Sequence, residues 1–171
     1  MAETERAEGG DVVDSQQFKD VMARIPTGVA VITSVSDGAF HGVTVSSFGA
    51  LSLDPPLACV SILKEINSHQ RLLRADGFVI NVLAREHTFF AEQFSGQTPL
   101  ADPDFARVPH RLGALGAPLI DGCISWIECR PWAQYPAGDH TLFIGEIVDL
   151  SLGNSVDPLV YFDREFVELS W

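Results

Sequence analysis

The sequence predicts a mainly β domain, a β-barrel with short helices. Six or more runs rich in β-branched and aromatic residues are separated by turn signals, and the helical segments are short. A sheet built from βαβ units would need a helix between most pairs of strands, and the sequence offers too few. A barrel with helical decoration therefore explains the pattern best.

Each element follows from a local pattern. Asp14 or Ser15 can cap a helix whose apolar residues recur at helical spacing, and Pro26 stops it. Ser68 can cap a second helix that Gly77 ends. In the first half of the chain, the patterns predict a helix over 15–25, a strand over 28–35, a turn at 36–38, a hydroxyl-bearing strand that ends at Leu53, a proline break at 54–56 and a strand over 57–63. A helix over 68–76, a strand over 78–83, a helix over 86–94 and a long excursion over 95–118 follow. The last predicted strands lie over 123–133, 141–150, 159–162 and 166–169.

Length and composition favour a single folded domain. The chain has 171 residues, of which 46% are hydrophobic, enough to bury a core. We predict a flexible acidic N-terminus over 1–14 and one domain over 15–171. The formal net charge of −12 disfavours nucleic acid and anionic membranes as partners. Three cysteines without C-x-x-C spacing, with no signal peptide and no long apolar run, favour a cytoplasmic protein.

The stretch from Gly42 to Ile62 carries the strongest functional signal. Its strand is expected to bury both faces, yet Thr44, Ser46 and Ser47 bring three hydroxyls into it. Buried hydroxyls need hydrogen-bond partners that apolar neighbours cannot supply. Either these hydroxyls pair with nearby backbone, or they face a polar ligand such as a phosphate or a sugar alcohol.

Several common sites are absent from the sequence. It contains no Rossmann G-x-G-x-x-G turn after a strand, no P-loop, no H-E-x-x-H and no G-x-S-x-G. The histidines lack metal-ligand spacing, so no metal site is predicted. His140 follows Gly138 and Asp139 at the start of a strand. These residues form either a simple turn or a loop that delivers the imidazole to the rim of a site.

Seven segments, taken in order, resemble the short-chain flavin reductases that serve two-component monooxygenases. They are RIPTGVAVIT, HGVTVSSFGALSLDPPLACVSI, NSHQRLL, FVINVL, PLIDGCISWIECR, AGDHTLFIGEI and PLVYF. The resemblance covers nearly all of the chain after residue 15. It implies an FMN-binding split barrel, Greek-key-like, that forms a homodimer and reduces free FMN or FAD with NADH or NADPH. The reduced flavin would pass to a partner monooxygenase.

The resemblance also implies roles for individual residues. His140 would be the catalytic residue, placed on the nicotinamide side. Hydride transfer between two cofactors needs no protein nucleophile or general base, which agrees with the lack of an acid-base constellation. The residues expected to bind the flavin are Thr27 and Gly28, Thr44, Val45, Ser46 and Ser47, Ser61, Ile62 and Leu63, Asn67 and Ser68 at a helix start that approaches the phosphate, Asn81 and Arg85 near the phosphate end, and Gly138 and Asp139.

Two other functions stay open at this point. One is a split-barrel oxidase that retains FMN and oxidises a bound small molecule, and the other is a non-enzymatic flavin-binding protein. His69 stands where the family commonly has Thr, and Phe166 stands where Tyr is frequent. Both departures bear on the choice between FMN and FAD.

Overall fold

The computed structural model describes residues 13–96, 105–167 and 169. The predictions for 1–12 and for the part of the excursion over 97–104 fall outside these residues. The helices are α1 (Ser15–Met22), α2 (Asn67–Arg74) and α3 (Thr88–Gln93), with 3-10 turns at Arg85–His87 and Phe105–Arg107. The strands are β1 (Thr27–Gly28), β2 (Ala30–Ser36), β3 (Ala39–Val45), β4 (Phe48–Leu53), β5 (Pro56–Leu63), β6 (Phe78–Val82), β7 (His110–Leu112), β8 (Pro118–Ile120), β9 (Ser125–Ala137), β10 (His140–Leu152), β11 (Val160–Phe162) and β12 (Glu165–Val167).

A seven-stranded sheet forms the body of the protein. Its order is β3-β2-β6-β9-β10-β5-β4, and every neighbouring pair is antiparallel. The two outermost strands, β3 and β4, are consecutive in the chain and are joined by Ser46 and Ser47. The Ser61 N–H donates to the Ser47 carbonyl at 2.9 Å, which ties β5 to this corner. The sheet therefore curls until its two edges meet, and the prediction of a mainly β barrel is confirmed.

Side chains alternate along each strand, and β2 and β6 are buried on both faces. Ala30 and Ile32 of β2 pack with Val60 of β5 in a cluster inside the barrel. Val29 and Val31 point the other way, into a second cluster that also includes residues from α3, β8 and the C-terminal hairpin. The second cluster covers the outer face of β2 and β6.

The predicted first helix is confirmed, but its apolar stripe is not part of the core. The Asp14 carboxylate caps it by accepting the N–H groups of Gln16 and Gln17, both at 2.9 Å. Phe18, Val21, Met22 and Ile25 are between 46% and 61% exposed. Helical spacing shows which residues share a face, and it does not show whether another element covers that face.

The predicted strand that ends at Leu53 is two strands. β3 ends at Val45 and β4 begins at Phe48, so Ser46 and Ser47 form an exposed corner between them. The expectation that both faces of this strand are buried is therefore wrong. Strand-favouring residues lie on both sides of the serines, so the sequence pattern predicts one continuous strand and no corner.

The β9–β10 hairpin is longer than expected. Residues between Ala133 and His140, predicted as a loop, continue the ladder as far as the pair His140 and Ala137. Only Gly138 and Asp139 lie outside the strands, and Gly138 has a φ of 62° that favours glycine. The hairpin places His140 at the very start of β10.

Two of the three cysteines are fully buried in the clusters. Burial raises the pKa of the Cys123 and Cys129 thiols to about 12, so both stay protonated at neutral pH. Cys59 is partly exposed on β5.

Among the described residues, no helix is long and apolar enough to cross a membrane, and no group of three side chains is arranged to hold a metal.

Candidate functional site

The end of β3, the end of β5 and the start of β10 enclose an open groove. The register of β5 with β10 sets Leu63 opposite His140 and Ile62 opposite Thr141. The groove has a volume of about 240 Å³. We call it the hydroxyl groove, and it brings together these predicted site residues: Thr44, Val45, Ser46, Ser47, Ser61, Ile62, Leu63 and His140.

Two of the four side-chain hydroxyls that line the groove donate to backbone carbonyls. Thr44 Oγ1 donates to the Ala91 carbonyl at 2.7 Å, and Ser47 Oγ donates to the Ser61 carbonyl at 2.9 Å. Once these protons are committed, the oxygens offer a ligand only their lone pairs. Ser46 lies exposed at the corner. The groove therefore suits a ligand with O–H and N–H donors, as a ribityl chain and a flavin ring edge have.

His140 is oriented at the rim of the groove by its neighbour. Its Nδ1 donates to the Asp139 carboxylate at 2.7 Å, and this hydrogen bond lowers the pKa of the Asp139 carboxyl. The side chain of His140 is 40% exposed. Because Nδ1 is occupied, Nε2 is the ring nitrogen left to contact a ligand.

Lys64 braces the turn that carries His140, and sequence reasoning missed it. Its backbone N–H donates to the Asp139 carbonyl at 2.9 Å, and Nζ donates to the Gly138 carbonyl at 2.5 Å. One residue therefore holds both carbonyls of the turn. The contact depends on the register of β5 with β10, which no local sequence pattern reveals.

His69 connects α2 to the strand that begins at His140. It is 6% exposed, and its Nε2 lies 2.8 Å from Thr141 Oγ1. Burial lowers the pKa of His69, and the nearby charge of Lys64 adds to the effect, so the imidazole is neutral at pH 7.

The start of α2 adjoins the groove, but the predicted residues Asn67 and Ser68 do not line it. The helix begins at Asn67, and Ile66 stands at the N-cap position with no side-chain hydrogen bond. The expectation that Ser68 caps the helix is therefore wrong. Ser68 lines a small separate cavity beside His41, whereas Ile66 lines the hydroxyl groove.

The prediction that Asn81 lies near a flavin phosphate is wrong, because Asn81 belongs to the core. Its side chain is 0% exposed. Nδ2 donates to the Val31 carbonyl at 3.0 Å and to Thr33 Oγ1 at 2.9 Å, and Oδ1 accepts the Ile120 N–H at 2.7 Å. These bonds link β2, β6 and β8, so no ligand atom can reach the amide.

Arg85 also lies away from the hydroxyl groove, contrary to the expectation that it binds a flavin phosphate there. Its guanidinium is 3.7 Å from the Asp157 carboxylate, and its backbone N–H donates to the Asp157 carbonyl at 2.9 Å. These contacts attach the turn after β6 to the segment before β11. Thr27 and Gly28 form β1, opposite Tyr161 and Val160 of β11, and do not line the groove.

A second, larger cavity adjoins the groove at the serine corner. It has a volume of about 440 Å³, and Thr44, Val45 and Ser46 line it as well. We call it the hairpin cavity, because its other walls include Glu92 of α3 and four residues of the β11–β12 hairpin, Tyr161, Arg164, Glu165 and Phe166. Apart from Phe166, sequence reasoning missed these walls, which come from segments that are far apart in the chain.

Comparison with known proteins agrees with this geometry. Residues 22–170 match the family model described as the flavin reductase like domain. The actinorhodin polyketide dimerase of Streptomyces coelicolor is 36% identical over 159 residues, which is 91% of this chain and 87% of the relative. The reductase subunit HsaB of a flavin-dependent monooxygenase from Rhodococcus jostii is 31% identical over 161 residues, or 94% of this chain and 80% of HsaB.

Solved structures show the same likeness. The NADH:FAD oxidoreductase SgcE6 of Streptomyces globisporus has a TM-score of 0.85 and 32% identity, with 96% of this chain and 99% of SgcE6 covered. The family model spans most of the chain, and the chain covers at least 80% of the length of each of these relatives. The chain therefore belongs to the family of flavin reductase-like domains.

Proposed function

We propose that the protein is an NADH-dependent flavin reductase that supplies reduced FMN or FAD to a partner monooxygenase. The observation that carries this function is the hydroxyl groove, which ends at an imidazole oriented by Asp139. Relatives named as a flavin-dependent monooxygenase reductase subunit and as an NADH:FAD oxidoreductase support the same activity.

The residues of the groove have the task of binding and aligning two cofactors. When both are bound, NADH supplies a hydride from C4 of its nicotinamide, and the flavin accepts it at N5. The oxygens of Thr44 and Ser47 offer acceptors, and the corner backbone at Ser46 offers close approach. His140 lies at the open side, where Nε2 can hold the carboxamide of a nicotinamide. Lys64 and Asp139 limit the movement of His140, which favours a reactive alignment.

The charge of the site also bears on how long the flavin stays bound. Neither Asn81 nor Arg85 lies in the groove, so these two predicted phosphate contacts are missing among the described residues that line it. A flavin held mainly by hydroxyl and backbone contacts dissociates more readily than one with its phosphate clamped by arginine. This favours flavin as a substrate that is released, over an oxidase that retains it.

A steady-state assay tests the proposed function. Purified protein is expected to oxidise NADH only when FMN or FAD is added, with a rate that saturates in both. The protein should elute from gel filtration without a flavin absorbance band near 450 nm. Flavin retained through gel filtration would favour the oxidase, and flavin binding without any NADH oxidation would favour a non-enzymatic carrier.

We also propose that a second copy of this chain covers exposed apolar strands. Leu51 and Leu53 of β4 are 49% and 92% exposed, and Leu150 and Leu152 of β10 are 64% and 86% exposed. Paired apolar residues of this kind usually mark an interface. Light scattering is expected to give twice the chain mass of 18.6 kDa. A mass equal to one chain at micromolar concentration would exclude the dimer.

A further inference from the structure

The hydroxyl groove is smaller than the dinucleotides that a flavin reductase handles. It offers about 240 Å³, whereas the hairpin cavity offers about 440 Å³. The two spaces share Thr44, Val45 and Ser46 as lining residues, so they adjoin at the serine corner. FAD and NADH each carry an adenosine beyond the pyrophosphate. The hairpin cavity is the larger of the two spaces that the described residues form beside this corner.

The walls of the hairpin cavity have the chemistry that an adenosine needs. Tyr161 and Phe166 present aromatic surface, with ring centroids 5.5 Å apart in an edge-to-face arrangement. Aromatic side chains of this kind pack against a purine base. Glu92 and Glu165 line the same cavity, and their carboxylates can accept the two hydroxyls of a ribose. Carboxylates recognise the ribose of NAD in this way in other folds.

Arg164 is the one cation among the described residues that line this cavity, and its charge is already balanced. Its guanidinium forms an ion pair with Asp20 of α1. Arg24, which follows α1, lies 3.5 Å from Asp163 in the same hairpin, so two ion pairs link the turn to α1 and to the segment after it. The charge left in the cavity is that of the two glutamates. A phosphate on the ribose 2′-oxygen would be repelled by them.

We infer that the hairpin cavity is an adenosine subsite, in which Glu165 and Glu92 bind a free ribose diol and select against a 2′-phosphate. The inference rests on the proposed flavin reductase function and adds a specificity to it. The adenosine can come from FAD or from NADH, because both carry the same group. The preference for an unphosphorylated ribose holds in either case.

Binding of nucleotide fragments to the flavin-free protein tests the subsite without any turnover. The probes are 5′-AMP, which is the adenosine half of FAD and NADH, and 2′,5′-ADP, which adds the phosphate of NADPH. Saturation-transfer NMR or calorimetry is expected to show 5′-AMP binding about tenfold tighter, for a modest charge repulsion at a partly exposed site. Absence of 5′-AMP binding at millimolar concentration, or equal or tighter binding of 2′,5′-ADP, would overturn the inference.

Charge variants locate the effect in the cavity. Glu165→Gln is expected to weaken 5′-AMP severalfold and to bring its affinity close to that of 2′,5′-ADP. Asp20→Asn leaves Arg164 unbalanced and is expected to strengthen 2′,5′-ADP without weakening 5′-AMP. Glu146→Gln removes the same charge on β10, where the carboxylate lies 3.8 Å from Arg130, and is expected to change neither affinity. Equal effects of Glu165→Gln and Glu146→Gln would reject a local role for Glu165.

Kinetics of the same variants show which dinucleotide uses the subsite. If it binds the adenosine of NADH, Glu165→Gln lowers the ratio of kcat/KM for NADH to that for NADPH and leaves the FAD to FMN ratio unchanged. If it binds the adenosine of FAD, only the FAD to FMN ratio changes. A variant with both ratios unchanged would reject the subsite. Wild-type protein without flavin-dependent NADH oxidation would instead reject the proposed function, and the fragment affinities would still be measurable.

Discussion

Replacing His140 with alanine is expected to lower kcat/KM for NADH by about 100-fold, with flavin affinity changed by less than about threefold. The imidazole stands at the rim of the hydroxyl groove, and under the proposed function its Nε2 contacts the nicotinamide. A reactant displaced by about 1 Å from its reactive geometry loses a factor of this size. Stopped-flow reduction of bound flavin by NADH measures the rate, and flavin fluorescence quenching measures the affinity.

Two conservative variants separate the nitrogens of His140. An asparagine amide can replace Nδ1 as the donor to Asp139, whereas a glutamine amide reaches further and can replace Nε2. If Nε2 is the contact, His140→Gln retains more activity than His140→Asn. The opposite order would show that the bond to Asp139 matters more than the ligand contact. Wild-type kinetics in His140→Ala would remove His140 from the site.

Replacing Asn81 with alanine is expected to lower the free energy of unfolding by about 3 kcal/mol, because it leaves buried donors and acceptors unpaired. The side chain is 0% exposed and joins three strands through the Val31 carbonyl, Thr33 Oγ1 and the Ile120 N–H. A loss of that size corresponds to a fall of roughly 6–12 °C in Tm for a domain of this length. Urea denaturation and thermal unfolding measure it.

Asn154→Ala is the matched control for Asn81. Asn154 is exposed in the segment between β10 and β11, so the same truncation there is expected to change the unfolding free energy by less than about 0.5 kcal/mol. Loss of flavin affinity in Asn81→Ala at unchanged Tm would contradict the core assignment and restore the phosphate role.

Much of the fold could be predicted from local patterns. β-Branched runs marked the central strands, and the turn at Asp37 and Gly38 has the positive φ values, 52° and 74°, that its sequence favours. The corner at Ser46 and Ser47 could not be found, because strand-favouring residues stand on both sides. The exposure of the apolar face of α1 could not be predicted either, since a single sequence does not show which element covers a helix face.

The residues of the candidate site could also be predicted only in part. The hydroxyl strand and the G-D-H turn were visible because each is contiguous in sequence. Lys64, His69 and Glu165 act on the site across strand register or from the C-terminal hairpin, and no spacing rule connects them to it. The phosphate role predicted for Asn81 is wrong, because the sequence of an asparagine within a strand is the same whether its partners are backbone groups or a ligand.

The burial of Cys123 and Cys129 has a consequence for an enzyme that releases reduced flavin. Reduced flavin that meets dioxygen before reaching its partner generates hydrogen peroxide, which attacks thiolates and not thiols. With pKa values near 12 and no exposed surface, these two sulfurs stay protonated and out of contact with the oxidant. Leakage from the proposed reaction would therefore leave the barrel core chemically intact, and Cys59, on the partly exposed part of β5, would be the thiol that records the damage.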